Sequence, residues 1–264
     1  MLTAVIQHDI VWTHASATRT HLEPLVAHAA AGGARLIVLT EMFATGYSTH
    51  PGEVAEARGG PTEQWLVEQA GRHGAWLVGS IAQQGDIAQR GDIAQQGDAD
   101  PRAVNVAVLA GPQGQTHRFE KLHPFTFAGE QEHYRAGDKP LTVDIDGVRT
   151  SIFICYDLRF ADDFWALAHD TDCYVVVANW PEPRREHWRT LLRARAIENQ
   201  AYVVGANRVG AVGELNHVGD SAIIDPLGRT LVEAQHVETV ISADVDPAEV
   251  AAVRARFPFL ADRR

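Results

Sequence analysis

Short apolar runs rich in β-branched residues alternate along the chain with stretches whose apolar positions recur every three to four residues. The first kind predicts strands over 2–7 (LTAVIQ), 35–40 (RLIVLT), 75–81 (AWLVGSI), 103–110 (AVNVAVLA) and 116–120. The second predicts helices over 18–31, ending at Gly32-Gly33, and over 61–73, opening at Pro61-Thr62 and closing near Gly74. GPQGQ (111–115) reads as a turn between two of the strands. Further on, LTVDID and VRTSIFIC flank Gly147 as a hairpin, 161–170 is helical, and CYVVVAN (173–179) is a buried strand. Residues 184–199 place Trp188, Leu191, Leu192 and Ala196 on one helical stripe with arginines elsewhere. Strands follow over 201–207, 221–225 and 239–245, with DPLGR as a turn. Strands alternating with helices imply an α/β layered fold, and the hairpins imply that its sheets are mixed.

One segment breaks the pattern. IAQQGD, IAQRGD and IAQQGD stand back to back over 81–98. A β-helix needs many more coils to enclose a core. The repeat therefore reads as a short duplication lengthening a hairpin loop at the surface, exposed and mobile, with no functional role.

Composition narrows the classes. The 264 residues suit one large domain or two small ones, and 45% hydrophobic with 22% charged residues describes a globular protein. A net charge of −11 disfavours nucleic acid or an anionic membrane as partner. Two cysteines make no disulfide framework, and reduced thiols fit the cytoplasm. The opening MLTAVIQHDIVW does not read as a signal peptide. No apolar run reaches the ~18 residues of a membrane helix. Of 23 basic residues only Lys121 and Lys139 are lysines, so each has a raised chance of being kept for its compact ammonium.

Candidate chemistry sits where strands end. Glu41 closes LIVLTE, Lys121 follows HRFE, and Cys155 closes SIFIC before Tyr156-Asp157-Leu158-Arg159. If these ends converge, the chemistry is coherent. A thiol of pKa ~8.5 carries little thiolate at neutral pH. A carboxylate can take its proton during attack and pass it to a departing amine. A lysine and a backbone N–H, that of Tyr156, can neutralise the oxyanion. The plainer alternatives are a core cysteine and solvated charges at strand ends. Cys173, which opens a strand with no charged cluster after it, reads as core. No zinc-ligand spacing, HExxH pair, GxSxG elbow or phosphate loop is present.

These segments together resemble the three signature blocks of the nitrilase superfamily, carbon–nitrogen hydrolases with a Glu–Lys–Cys triad, and the resemblance spans essentially the whole chain. It implies one carbon–nitrogen hydrolase domain over 1–264, folded as a four-layer α-β-β-α sandwich of mixed sheets. It implies a homodimer and no cofactor or metal. It implies Glu41, Lys121 and Cys155 as catalytic residues, with Glu130 in AGEQEHYRAG as a second glutamate orienting the lysine; Glu132 reads as a solvated loop carboxylate. Thr40 stands before Glu41 where the family commonly has proline, and the 81–98 repeat is an addition.

Within the superfamily CYDLRF, ANWPEPRREHW and RARAIENQAYVVGANRVG resemble the bacterial ω-amidase branch, which hydrolyses the terminal amide of 2-oxo dicarboxylic acid monoamides such as 2-oxoglutaramate. A substrate carboxylate needs a cation, and NWPEPRREHW offers Arg184 and Arg185 where a loop enters a helix, unless both are surface residues; Arg184 is the one that aligns with the branch. Arg159 is a second candidate, although its spacing from Asp157 suggests a structural ion pair. Phe43, Tyr47 and Trp180 are candidate pocket walls or else core. The alternatives are another amidase of the superfamily, acting on an N-carbamoyl amine or deaminated glutathione, a nitrilase, or a non-catalytic binding protein on the same scaffold.

Overall fold

The computed structural model describes residues 1–85 and 100–262. Six strands make the first sheet: β1 (Leu2–Gln7), β2 (Leu36–Val38), β3 (Trp76–Gln83), β4 (Val104–Ala110), β5 (Thr116–Glu120) and β13 (Thr239–Asp244). Their order is β13-β1-β2-β3-β4-β5, with β1, β2 and β3 parallel and the outer pairs antiparallel. The second sheet holds β6 (Thr142–Ile145), β7 (Val148–Ile154), β8 (Cys173–Ala178), β9 (Tyr202–Asn207), β10 (Val209–Val212), β11 (Leu215–Ile224) and β12 (Thr230–Gln235). It runs β10-β11-β9-β8-β7-β6 with β12 beside β11, and β7, β8 and β9 are its parallel centre.

Strand alternation explains the layers. On the first sheet Ala4, Ile6, Ile37, Leu77, Val106 and Val108 meet Leu22 and Val26 of α1 (Ala15–Ala31) and Leu66 and Ala70 of α3 (Pro61–His73). The intervening Val5, Leu36, Val38, Val78, Ala107 and Leu109 join the second sheet's residues in a separate core cluster. Both faces are buried, so these strands read as continuous apolar runs rather than as alternation. On the far side of the second sheet lie α5 (Ala161–Ala166) and α6 (Arg185–Asn199). There Gly205 of β9 is required: a Cβ would stand 2.5 Å from Leu192 and 3.0 Å from Trp188 on α6. The result is the α-β-β-α sandwich. The short α2 (Pro51–Val54) and α4 (Glu130–His133) and the C-terminal α7 (Pro247–Arg256) complete the described helices. None of these is long and apolar enough to cross a membrane.

The structure departs from the sequence reading at several places. The strand expected over 35–40 is only Leu36–Val38, and the helix expected over 161–170 gives way to a 3₁₀ turn at Ala168–Asp170. The strand expected over 221–225 is the end of the longer β11. β10, β12 and α7 were not anticipated. Ala82 and Gln83, read as part of a surface loop, are buried in β3 opposite Asn105 and Val104, beyond the Ile81 where the strand was expected to end. They continue the pairing begun at Leu77. The rest of that repeat, from residue 86 to 98, lies outside the described residues.

The turn after β7 positions the site. Cys155 has φ 48°, a left-handed conformation that a non-glycine residue adopts only under constraint. It opens a 3₁₀ helix, Cys155–Arg159. The buried Asp157 carboxylate braces this turn, accepting from the N–H of Ile154 at 3.0 Å and of His123 at 2.8 Å. Burial pushes the Asp157 carboxyl up to about 7, against the pull of Lys121 and the two N–H donors. The folded state therefore holds a proton that the unfolded chain releases above pH ~4.

Two outcomes follow from the packing and the turn. Phe153 of β7 is buried, stacked on Phe164 at 3.9 Å and edge-on to Phe119 at 5.7 Å. Phe153→Ala should lower unfolding free energy by about 3–5 kcal/mol in urea denaturation. The Asp157 contribution is fully present below pH ~4 and lost as pH rises through about 7. Wild type should thus lose stability relative to Asp157→Asn between pH 5 and pH 8; parallel pH dependences would refute this.

Candidate active site

Open α/β sheets build sites at the carboxyl ends of their parallel strands. Here Glu41 follows β2, Cys155 follows β7, Asn179 and Trp180 follow β8, and Arg208 follows β9. Lys121 follows β5, at the same edge of the sandwich. Elements far apart in sequence thus deliver their polar residues to one place.

The contacts are close. Lys121 Nζ donates to Glu41 Oε1 at 2.9 Å and to Glu130 Oε2 at 2.9 Å, and all three side chains are buried. Glu41 Oε1 also accepts from Asn105 Nδ2 at 2.8 Å, and its Oε2 accepts from the Asn179 N–H at 3.0 Å. Asn105 is held in turn by Ser80 Oγ at 2.8 Å, and the Asn179 side-chain amide donates to the Glu41 carbonyl. Glu130 further accepts from the Phe125 N–H. The Cys155 thiol lines the same cavity as the Glu41 carboxylate, whose charge acts on it.

The electrostatics follow from this packing. Burial opposes the Lys121 charge, but Glu130 and Glu41 outweigh it and hold the ammonium well above its ordinary pKa. Burial, followed by the Glu41 carboxylate, pushes the Cys155 thiol well above its ordinary value, with Lys121 only partly offsetting them. The sulfur is therefore a thiol at neutral pH, facing a carboxylate chemically able to accept its proton. Tyr156 lies in the first turn of the 3₁₀ helix, where backbone N–H groups have no acceptor within the helix.

These groups face a cavity of about 300 Å³. Cys155, Glu41 and Lys121 line its reactive end, and Tyr47, Tyr156, Trp180 and Arg184 line its walls. Burial keeps Tyr47 protonated, and its ring lies 5.5 Å from Lys121 Nζ. Arg184 stacks its guanidinium 5.3 Å from the Phe125 ring. Phe43 is not a wall. The left-handed Met42 (φ 40°) turns the chain after Glu41 and sends Phe43 into the core against Trp65 and Gly79. Arg159 makes no ion pair with Asp157, whose oxygens are taken by backbone N–H groups. Arg159 instead lies over the Trp180 ring at 4.8 Å, on the cavity wall. Glu132 is exposed, as read, and Cys173 is buried in β8.

Sequence reasoning assigned no role to Asn105, Asn179, Arg208 or His217. Asn179 and Arg208 carried one usable signal, a polar residue directly after an apolar strand. Asn105 and His217 lie inside strands and carried none.

Comparison with known proteins identifies the family. The carbon–nitrogen hydrolase family profile matches residues 2–255. Omega-amidase YafV of Escherichia coli K12 is 35% identical over 257 residues, 96% of this chain and 93% of that protein. The 2-oxoglutaramate amidase of Bacillus subtilis is 34% identical, covering 88% of this chain and 85% of its own. The crystal structure of XC1258 from Xanthomonas campestris, a CN-hydrolase superfamily protein with an arsenic adduct in its active site, superposes with a TM-score of 0.90 at 34% identity, covering 100% of this chain and 97% of that one. The chain therefore belongs to the carbon–nitrogen hydrolase family, as an enzyme that hydrolyses amide carbon–nitrogen bonds.

Proposed function

We propose that the enzyme is an ω-amidase that releases ammonia from 2-oxo dicarboxylic acid monoamides such as 2-oxoglutaramate, through a thioester on Cys155. The observation that carries this reading is one cavity lined by the Cys155 thiol, the Glu41 carboxylate and, 2.9 Å from that carboxylate, the Lys121 ammonium. Glu41 takes the thiol proton as sulfur attacks the amide carbon. Lys121 Nζ and the Tyr156 N–H neutralise the oxyanion. Protonated Glu41 then gives its proton to the departing nitrogen, and ammonia leaves. Water enters, Glu41 deprotonates it, and hydrolysis of the thioester frees the acid and restores the thiol. Glu130 orients Lys121 and keeps it charged.

The substrate's acid end is assigned to the cationic wall that Arg159, Arg184 and Arg208 line, with Tyr47 and Trp180 as flanking surfaces. The names of the two relatives above support this substrate class. We read the chain as one hydrolase domain that works in the cytoplasm as a homodimer.

Ammonia release should be fast from 2-oxoglutaramate and weak or absent from glutamine, asparagine and a simple nitrile. Hydrolysis of N-carbamoyl amines in preference to 2-oxo monoamides would move the enzyme to another branch. Cys155→Ala should abolish turnover; a fully active Cys155→Ser would rule out the thiol route. Glu41→Gln should lower kcat by about 10²–10⁴-fold. Glu130→Gln removes one of the two carboxylates that raise the Lys121 pKa. The alkaline limb of its kcat/KM profile should move to lower pH, and an unmoved limb would count against the orienting role.

A further inference from the structure

The cavity wall holds hydrogen-bonding capacity that the amide chemistry does not use. Among the described residues twelve buried side-chain polar atoms have no partner, and four of them belong to residues lining this cavity: Tyr47 Oη, Asn179 Oδ1, Arg208 Nη1 and His217 Nδ1. Folded proteins leave few such atoms open, so their clustering around one cavity points to a polar ligand.

Arg208 stands apart by its charge. Its side chain is 1% exposed, with Nη2 donating to Asp9 Oδ1 at 2.7 Å and Nε to the Val209 carbonyl at 3.4 Å. Asp9 is 56% exposed, so water screens that pair. Burial draws the guanidinium's pKa below its ordinary value, which marks a cation short of compensation. His217 adds no second charge. Burial, followed by the Arg208 cation, pushes its pKa down to about 4, so it is neutral at pH 7. Arg159 and Arg184 line the same cavity but are half-buried and lie on aromatic rings. An anion bonded to Arg208 would pair with a guanidinium largely withdrawn from water, where charge-assisted bonds are stronger.

We propose that Arg208 receives the anionic end of the substrate through Nη1, so that the enzyme selects amides bearing a carboxylate over neutral amides of the same length. This rests on the acid-amide reading above and assigns to it a receptor that the sequence did not suggest.

The test compares kcat/KM, by ammonia release at pH 7.5, on glutaramate and on pentanamide, which share five carbons and differ in the terminal carboxylate. Arg208→Lys keeps a positive charge beside Asp9 but loses the planar fork. Its glutaramate-to-pentanamide ratio should fall about 10- to 100-fold, through KM. An unchanged ratio in the folded variant overturns the proposal. Asp9→Asn removes the carboxylate that competes for Arg208, and it keeps the test decisive if Arg208→Lys does not fold. A ratio held or raised in Asp9→Asn supports the receptor role. A ratio that collapses there overturns it, because the pair would then matter only as a strut. A wild type with no preference for glutaramate overturns the acid-amide reading and the proposal together. A preference that survives Arg208→Lys overturns the role of Arg208 alone.

Discussion

A lysine ammonium sealed from water between two carboxylates is the constraint on which the site depends. Lys121 would be costly to bury alone, and so would Glu41 or Glu130. Together they carry one surplus negative charge, spread over oxygens that also accept from Asn105, Asn179 and Phe125. Removing one member leaves a buried charge without its partner. The thiol's protonation follows from the same balance. Beside this anionic cluster, the Cys155 thiol is held in its protonated form. In the proposed mechanism, nucleophile activation thus belongs to the moment of attack rather than to a standing thiolate.

The layers exist to make that cluster possible. β2 and β5 of one sheet supply Glu41 and Lys121, and β7 and β8 of the other supply Cys155 and Asn179. No single strand carries a working set. The left-handed turn at Cys155 lifts the sulfur out of the strand, and a buried carboxylate two residues on holds that turn.

Much of this was legible in the sequence, for identifiable reasons. Apolar runs buried on both faces announce themselves by composition, which is why β1, β3, β4, β7, β8 and β9 were found within a residue or two. The acid, base and sulfur were legible because each stands at the end of such a run. β12 was missed because only Ala234 along it is buried, which leaves little hydrophobic signal. α7 was missed although Asp246 caps it, its carboxylate accepting from Ala248 N–H at 2.8 Å before Pro247 opens the helix. Phe43 was misplaced because side-chain direction after Glu41 depends on the backbone sign at Met42, which composition does not reveal. Arg208 and His217 were invisible as site residues because their proximity arises only when β9, β10 and β11 pair.

Asn179 is the rivet between the two halves. Its backbone N–H and its side-chain amide both fasten Glu41, reaching from one sheet to the other across 138 positions of the chain. The Glu41 carboxylate is therefore aimed by the registry of the sandwich and not by its own strand alone. A slip between the sheets would move that carboxylate while every strand remained intact. The position of the Glu41 carboxylate thereby reports the alignment of the two layers.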